Sequence, residues 1–281
     1  MTATHSRQLL VTGANGFLAR AVADRLPCSW QPIALLRPHS RNCHRAYVAF
    51  HDSVDALCNA HPDFDAVLHL AAHIPDDLNA QDPQLVQINV DLISRLVQAY
   101  PQARHVHASS VSVYGVPKAL PLAVTSSFIH PNRYGLSKLA GECIVGQASR
   151  HAVIRFSSII GTGMRTGSFI PSAVEGARMG TIQLRGDGNR QQNYVDVRDA
   201  AHMCLRALED NGNFTTLGVG TRSHSNLDIA ELLASMTGAS IVHEGSDANP
   251  SLLYTIKDAM NLGPCEFEIQ DTLADMVRKF A

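Results

Sequence analysis

Tyr134 and Lys138 stand four residues apart in Tyr134-Gly-Leu-Ser-Lys138, a spacing that puts both side chains on one face of a helix. A phenol is a weak acid, with a pKa of about 10 in water. A lysine ammonium beside it favours the phenolate and lowers that value. Such a pair can exchange a proton with a sugar or alcohol hydroxyl near neutral pH. The spacing alone would also suit two ordinary surface residues of an amphipathic helix, so its surroundings matter. Upstream, an apolar segment runs into Ser109-Ser110-Val-Ser112-Val-Tyr114-Gly115. Hydroxyls at a strand end that opens into a crevice are placed to hydrogen-bond a substrate oxygen.

The elements that must position these groups begin at the N-terminus. Gln8–Thr12 reads as a buried strand, followed by Gly13-Ala-Asn15-Gly16-Phe17-Leu18-Ala19 and a helix from Phe17 to Leu26. A glycine-rich turn between strand and helix directs backbone N–H groups at a phosphate. Gly13 permits the turn, Gly16 permits close approach of a pyrophosphate, and Ala19 is small where helix meets sheet. In this strand–turn–helix context the pattern points to a dinucleotide.

Pro32–Leu36 is the second strand and Arg37 ends it. An acid at this point would hold a ribose 2′-hydroxyl, whereas an arginine suits a 2′-phosphate. Arg37, with Arg41 near it, therefore favours NADP(H) and leaves NAD(H) as the alternative. Strands follow at 46–50, 66–70, 105–109 and 152–156, alternating with helices. Asp52 and Ser53 open the helix after the third strand, where a cofactor adenine would lie. Asp52 also suits a helix start on its own account, and Ser53 is a plausible N-cap. Ala71-Ala72 leaves room at the end of the fourth strand. Asn89 interrupts a helix spanning about 83–100, which suits either a polar partner in the site or a solvated helical turn.

This alternation implies an α/β fold, a parallel doubly wound sheet. After Gly161 the alternation breaks. Residues 1–160, with 190–218 returning, are assigned to the dinucleotide-binding domain. Residues 161–189 and 219–281 are assigned to a smaller α/β substrate lobe. At 45% apolar and 17% charged residues, the chain of 281 can bury a substantial core. The net charge of −2, with scattered Lys and Arg, argues against nucleic acid and membrane surfaces as partners. No apolar run reaches the roughly 20 residues of a membrane span, and the polar start is unlike a signal peptide. The six dispersed cysteines lack a CxxC and read as reduced thiols of a cytoplasmic protein. The histidines include no HExxH, and no protein-bound metal is expected.

Taken together, Val11-Thr-Gly-Ala-Asn-Gly-Phe-Leu18, His69-Leu-Ala-Ala72, Ser109-Ser-Val-Ser-Val-Tyr-Gly115, Tyr134-Gly-Leu-Ser-Lys-Leu-Ala-Gly-Glu142 and Asn193-Tyr-Val-Asp-Val-Arg-Asp-Ala200 resemble the extended short-chain dehydrogenase/reductases. The resemblance is to their NAD-dependent epimerase/dehydratase branch and covers about residues 8–237. It implies Tyr134 as acid/base, Lys138 as its electrostatic partner and ribose ligand, and Ser110 as the hydroxyl that orients the substrate oxygen. It implies Gly13, Asn15, Gly16, Phe17 and Leu18 at the pyrophosphate, and Asp52 and Ser53 at the adenine. Leu70, Ala71 and Ala72 would line the cofactor. Ser112, Asn89, Ser158 and Gln192 would face substrate. A sugar-nucleotide substrate and a homodimer are further implications.

Departures from the family pattern narrow the reaction. Ser110-Val111-Ser112 stands where dehydratases carry Thr-Asp-Glu, which discounts elimination of water. Gln192 stands where a diphosphate-gripping Arg is usual, Ser158 replaces the Asn after the sixth strand, and no Arg occurs between Ile241 and Gln270. Arg37 tilts the expectation towards an NADPH-dependent 4-keto reductase. A nucleotide-sugar 4-epimerase with retained NAD and a reductase of a non-nucleotide ketone are the alternatives. A non-catalytic dinucleotide sensor belongs to a different class, and intact Ser110, Tyr134 and Lys138 argue against it.

Overall fold

A computed structural model of the chain describes residues 6–37, 40, 44–256 and 262–279. Arg41, invoked above beside Arg37, and Cys43 lie outside the described residues. By its internal contacts the chain divides into two compact units, the first comprising 1–118, 125–156 and 201–217, the second 119–124, 157–200 and 218–281.

The first unit opens with β1 (Arg7–Thr12), α1 (Phe17–Ala23), β2 (Trp30–Leu35), β3 (Ala49–His51), α2 (Val54–Ala60) and β4 (Ala66–His69). A single helical rod follows, made of α3 (Pro83–Val86), a π-turn (Gln87–Asp91) and α4 (Leu92–Ala99). Then come β5 (Arg104–Ser110), a 3-10 turn (Val111–Tyr114), α5 (Arg133–Val145) and β6 (Arg150–Phe156). Of the later elements, β7 (Ser158–Ile160), α6 (Phe169–Arg178), β8 (Thr181–Arg185) and β9 (Gln191–Asp196) belong to the second unit, which α7 (Val197–Glu209) leaves. Last come β10 (Phe214–Gly218), β11 (Ser223–Ser225), α8 (Asn226–Thr237), β12 (Ser240–Glu244) and α9 (Ile269–Lys279).

Among the described residues, seven strands form one sheet in the order β10-β6-β5-β4-β1-β2-β3. Pairing is parallel from β6 through to β3. The chain starts in the middle and winds outwards both ways, so the carboxyl ends of β1 and β4 flank the point where strand order reverses. In open α/β sheets that crevice takes the ligand. Parallel strands covered on both faces are apolar throughout, and Leu9, Leu10, Val11, Ala66, Val67 and Leu68 are wholly or almost wholly buried. One face packs Leu10, Ile33, Leu35 and Val67 beneath Val54 and Leu57 of α2 and Leu96 of α4. Each such side chain contributes roughly 1.5–3 kcal/mol.

In the second unit β11, β9 and β7 form a three-stranded sheet, and β12 pairs with β8 in parallel. Residues 190–200, which the alternation assigns to the first domain, fall in the second unit, where 191–196 pair as β9. The core there gathers Ile170 and Val174 of α6, Ile229 and Leu233 of α8, and Leu273 and Met276 of α9. No helix among the described residues is long and apolar enough to cross a membrane.

Candidate active site

A cleft of about 1070 Å³ lies at the carboxyl ends of the first unit's strands. Gly13, Asn15 and Gly16 line it, as do Arg37, Asp52, Ser53 and Leu70–Ala72. Gly13 has φ +65°, and a Cβ there would stand 2.7 Å from the Cα of Ala71. The turn is therefore pressed against the end of β4, and only glycine meets both demands. Thr12, which the sequence reading leaves without a role, explains the closeness. Its buried hydroxyl oxygen accepts the N–H groups of Leu70 (3.1 Å) and Ala71 (3.0 Å), which sets the end of β4 beside the turn. Asn15 Nδ2 donates to Ser40 Oγ at 3.0 Å and ties the turn to the segment after β2. Ser53 caps α2 by accepting the N–H of Ala56 at 3.1 Å, while Asp52 is exposed. Phe17 and Leu18 open α1, half-buried. The volume, the glycine cradle and the polar residues at β2 and β3 suit a dinucleotide.

Periodicity alone did not assign the far wall. Gln87, Ile88, Asp91, Leu92 and Arg95 line the cleft from the π-turn and α4. Their spacing is that of one helical face, a signal present in the sequence once the helix is known to flank a ligand. Arg95 reaches Asp55 of α2 at 2.7 Å.

Tyr134 and Lys138 lie on α5, both buried. Asn132 caps the helix by accepting the N–H of Gly135 at 2.8 Å. Gly135 lets the helix meet the serine turn backbone to backbone, since a Cβ there would fall 2.3 Å from the Ser112 carbonyl oxygen. Ser110 ends β5. Its hydroxyl accepts the N–H of Ser112 at 3.1 Å and lies 3.1 Å from Ser112 Oγ, and it also hydrogen-bonds the Tyr134 hydroxyl. Ser110, Ser112 and Tyr134 are therefore brought together.

The electrostatics correct one expectation. The Tyr/Lys spacing predicts a lowered Tyr134 pKa, but burial pushes the phenol up to about 12. The opposing pull comes from the Ser110 hydrogen bond. A phenolate stripped of water is costly, and one neutral hydroxyl offsets that only in part. Burial lowers Lys138 to about 8, against an upward pull from Glu142 one turn further on.

Beneath α5 lie three imidazoles. His105 and His107, an H-x-H pair passed over in the sequence, share one face of β5 with His69 of β4, all fully buried. Gly141 makes room for His107, whose Nε2 would stand 3.1 Å from a Cβ there. His105 Nε2 meets the Tyr100 carbonyl at 2.9 Å and so carries the proton. Its Nδ1 then accepts from His69 Nε2 at 2.9 Å. Burial holds all three below the ordinary histidine range, and Lys138 adds to this at His69 and His107. Lys138 is thus the cation in a pocket of neutral rings. Among the described residues no cluster suited to a metal ion occurs.

The remaining candidates are used differently. Asn89, in the π-turn, is fully buried. Its Oδ1 accepts the N–H of His73 (2.8 Å), and its Nδ2 donates to the His73 carbonyl (3.0 Å) and Ser137 Oγ (2.9 Å). It pins the loop after β4 to α5, where a substrate contact was expected. That loop also gives the Leu78 carbonyl to the N–H of Tyr134 at 3.1 Å. In the second unit Ser158 is exposed on β7. Gln192 Nε2 donates to the Tyr194 hydroxyl and Asn226 Oδ1, both at 3.0 Å.

A family model described as the NAD dependent epimerase/dehydratase family matches residues 9–220. UDP-glucose 4-epimerase of Lactobacillus helveticus is 26% identical over 249 residues, covering 75% of this chain and 75% of the relative. dTDP-4-dehydro-6-deoxy-D-allose reductase of Streptomyces bikiniensis is 27% identical over 271 residues, covering 83% of this chain and 82% of the relative. The crystal structure of UDP-glucuronic acid 4-epimerase from Bacillus cereus, in complex with UDP-glucuronic acid and NAD, aligns over 98% of this chain and 100% of that one. Its TM-score is 0.80 at 20% identity, a likeness of fold.

Proposed function

This chain belongs to the NAD-dependent epimerase/dehydratase family, an enzyme of the short-chain dehydrogenase/reductase type, and we propose that it inverts C4 of a UDP-activated sugar with a retained NAD. The observation that carries this reading is the Ser110–Tyr134 hydrogen bond, with Lys138 on the same helix. When bound, the nicotinamide supplies a reversible hydride acceptor. Burial leaves the phenol protonated in the unliganded chain, so Tyr134 acts once a bound cofactor's positive charge joins that of Lys138 in favouring the phenolate. It would then take the proton of the C4 hydroxyl as that carbon is oxidised, and return it after the keto sugar has turned its other face. Ser110 donates to the oxygen on which charge develops. Lys138 keeps a positive charge near the phenol and would hold the nicotinamide ribose. Ser110-Val111-Ser112 offers no carboxylate pair for removing water, which counts against a dehydratase.

The 4-keto reductase suggested by Arg37 becomes the second reading. Relatives named as UDP-glucose 4-epimerases weigh towards epimerisation, while the Streptomyces bikiniensis reductase and the position of Arg37 in the cleft support reduction with NADPH. Retained NAD agrees with the NAD in the Bacillus cereus structure. We further propose a homodimer. Val86 of α3 and Leu136 of α5 expose about half their surface, and Cys143 continues the α5 stripe two turns on. Analytical ultracentrifugation reads the stoichiometry. Free, exposed Cys28 and Cys143 suit a reducing cytoplasm.

The test is mass spectrometry of freshly purified protein, followed by UDP-glucose and UDP-galactose interconversion without added cofactor. Co-purifying NAD with turnover is the expected result. Protein free of dinucleotide that binds NADPH, and loses it in Arg37→Ala, would replace epimerisation by reduction.

A further inference from the structure

Ser110 and Tyr134 come from different elements, the end of β5 and the start of α5, so their separation needs a common reference. One buried cluster in the first unit touches both. Glu142, one turn beyond Lys138 on α5, is 8% exposed. Its carboxylate accepts Ser109 Oγ at 2.5 Å, Arg155 Nε at 3.0 and 3.2 Å, and Arg155 Nη2 at 2.7 Å. Arg155, on β6, also donates Nη1 to the Tyr114 hydroxyl at 2.9 Å. Its guanidinium lies 5.1 Å from the ring centre of Tyr114 and 4.9 Å from that of Phe128.

Each partner adjoins a reacting or substrate-facing group. Ser109 precedes Ser110 on β5. Tyr114 closes the turn that carries Ser112. Glu142 shares α5 with Tyr134 and Lys138. A planar guanidinium fixes direction as well as distance, because its donors meet a carboxylate as a fork. Buried ion pairs are weak stabilisers, since desolvation consumes most of the Coulombic gain, and apolar replacements of both partners commonly hold a fold as well. Position, more than stability, is therefore what this pair supplies.

We propose that Arg155, acting through Glu142 and Tyr114, is the positioning residue that sets the hydrogen bond between Ser110 and Tyr134. The proposal rests on the reading of those two as the reacting pair. It also accounts for a carboxylate buried one turn from Lys138, whose ammonium it favours.

The test needs no substrate. Protein carrying ¹³Cζ-tyrosine gives a Tyr134 resonance, identified by its loss in Tyr134→Phe. Ser110→Ala removes the hydrogen bond and defines the displacement of that resonance. The double variant Glu142→Met with Arg155→Met is expected to fold, bind dinucleotide and displace the resonance in the same direction by a comparable amount. Adding Ser110→Ala to the double variant should then move it little further. Arg155→Lys, which keeps the charge and loses the fork, should show a smaller displacement of the same sign. An unmoved resonance in the folded double variant, or a full additional displacement on adding Ser110→Ala, would overturn the proposal. A double variant that fails to fold would overturn it too, because the pair would then serve stability. Failure of the catalytic reading looks different: Tyr134→Phe would interconvert UDP-glucose and UDP-galactose at the parent rate.

Discussion

The two units treat their candidate residues in opposite ways. In the first, reactive groups are held by backbone contacts and buried bonds: Gly135 against Ser112, Thr12 against Ala71, Ser110 against Tyr134. In the second, Gln192 is held by its neighbours Tyr194 and Asn226, and Ser158 lies exposed. Chemistry at one carbon demands fixed distances, and packing can impose them. Recognition of a substrate's remote parts spreads over many weaker contacts, which a sequence can redistribute without losing the fold.

The comparison breaks first at Tyr134. Tyr134→Phe should lower kcat by about 10²–10⁴-fold, the range for a lost general acid/base, while dinucleotide binding, read by fluorescence titration, persists. A variant that keeps its turnover would remove the distinction between the units. Gly135→Val sharpens it without touching a reacting atom. Its Cβ would meet the Ser112 carbonyl oxygen at 2.3 Å, and the displaced serine turn should cost roughly 10- to 100-fold in kcat. Steady-state kinetics beside a thermal melt would separate this loss from unfolding.

Lys138 gives a test in pH. Its folded pKa of about 8 lies below the ordinary 10.5 because burial disfavours the ammonium. Below about pH 8 the lysine is charged in both folded and unfolded chains, and the fold carries the whole desolvation cost. Between 8 and 10.5 the folded lysine is neutral while the unfolded one still binds its proton, so stability rises with pH. Lys138→Met should therefore be more stable than the parent near pH 7, by up to about 3 kcal/mol, with the gap closing above pH 8 in urea unfolding. A gap that widens with pH would mean the buried ammonium stabilises the fold. The smallest effect belongs to Gln192→Ala. Losing two hydrogen bonds should cost about 1–2 kcal/mol of stability and change KM for UDP-glucose by less than about tenfold. A hundredfold rise would make Gln192 the diphosphate ligand and erase the contrast.

Much of the first unit was legible because its signals are local. The glycine turn, the apolar strands and the Tyr/Lys spacing each arise within a few residues, and the predicted strands from β1 to β6 agree with the structure within about three residues at each end. Asn89 reads differently in three dimensions. A polar residue inside a helix signals a partner, and the partner proved to be the main chain of His73. Strand β9 was misassigned for a similar reason, since its partners β7 and β11 lie some thirty residues away on either side.

The sequence by itself pointed to the doubly wound parallel sheet, the glycine turn and the residue types that could exchange a proton. These follow from periodicity, backbone sterics and side-chain chemistry, all short-range. Tertiary structure alone decided the protonation balance and the fixed distances. Tyr134 stands near 12 and Lys138 near 8 because burial removes water from both, and burial is a property of the assembled core. Arg155, Glu142 and Ser109 come from three separate elements, and only the packed sheet and helix bring their atoms within reach.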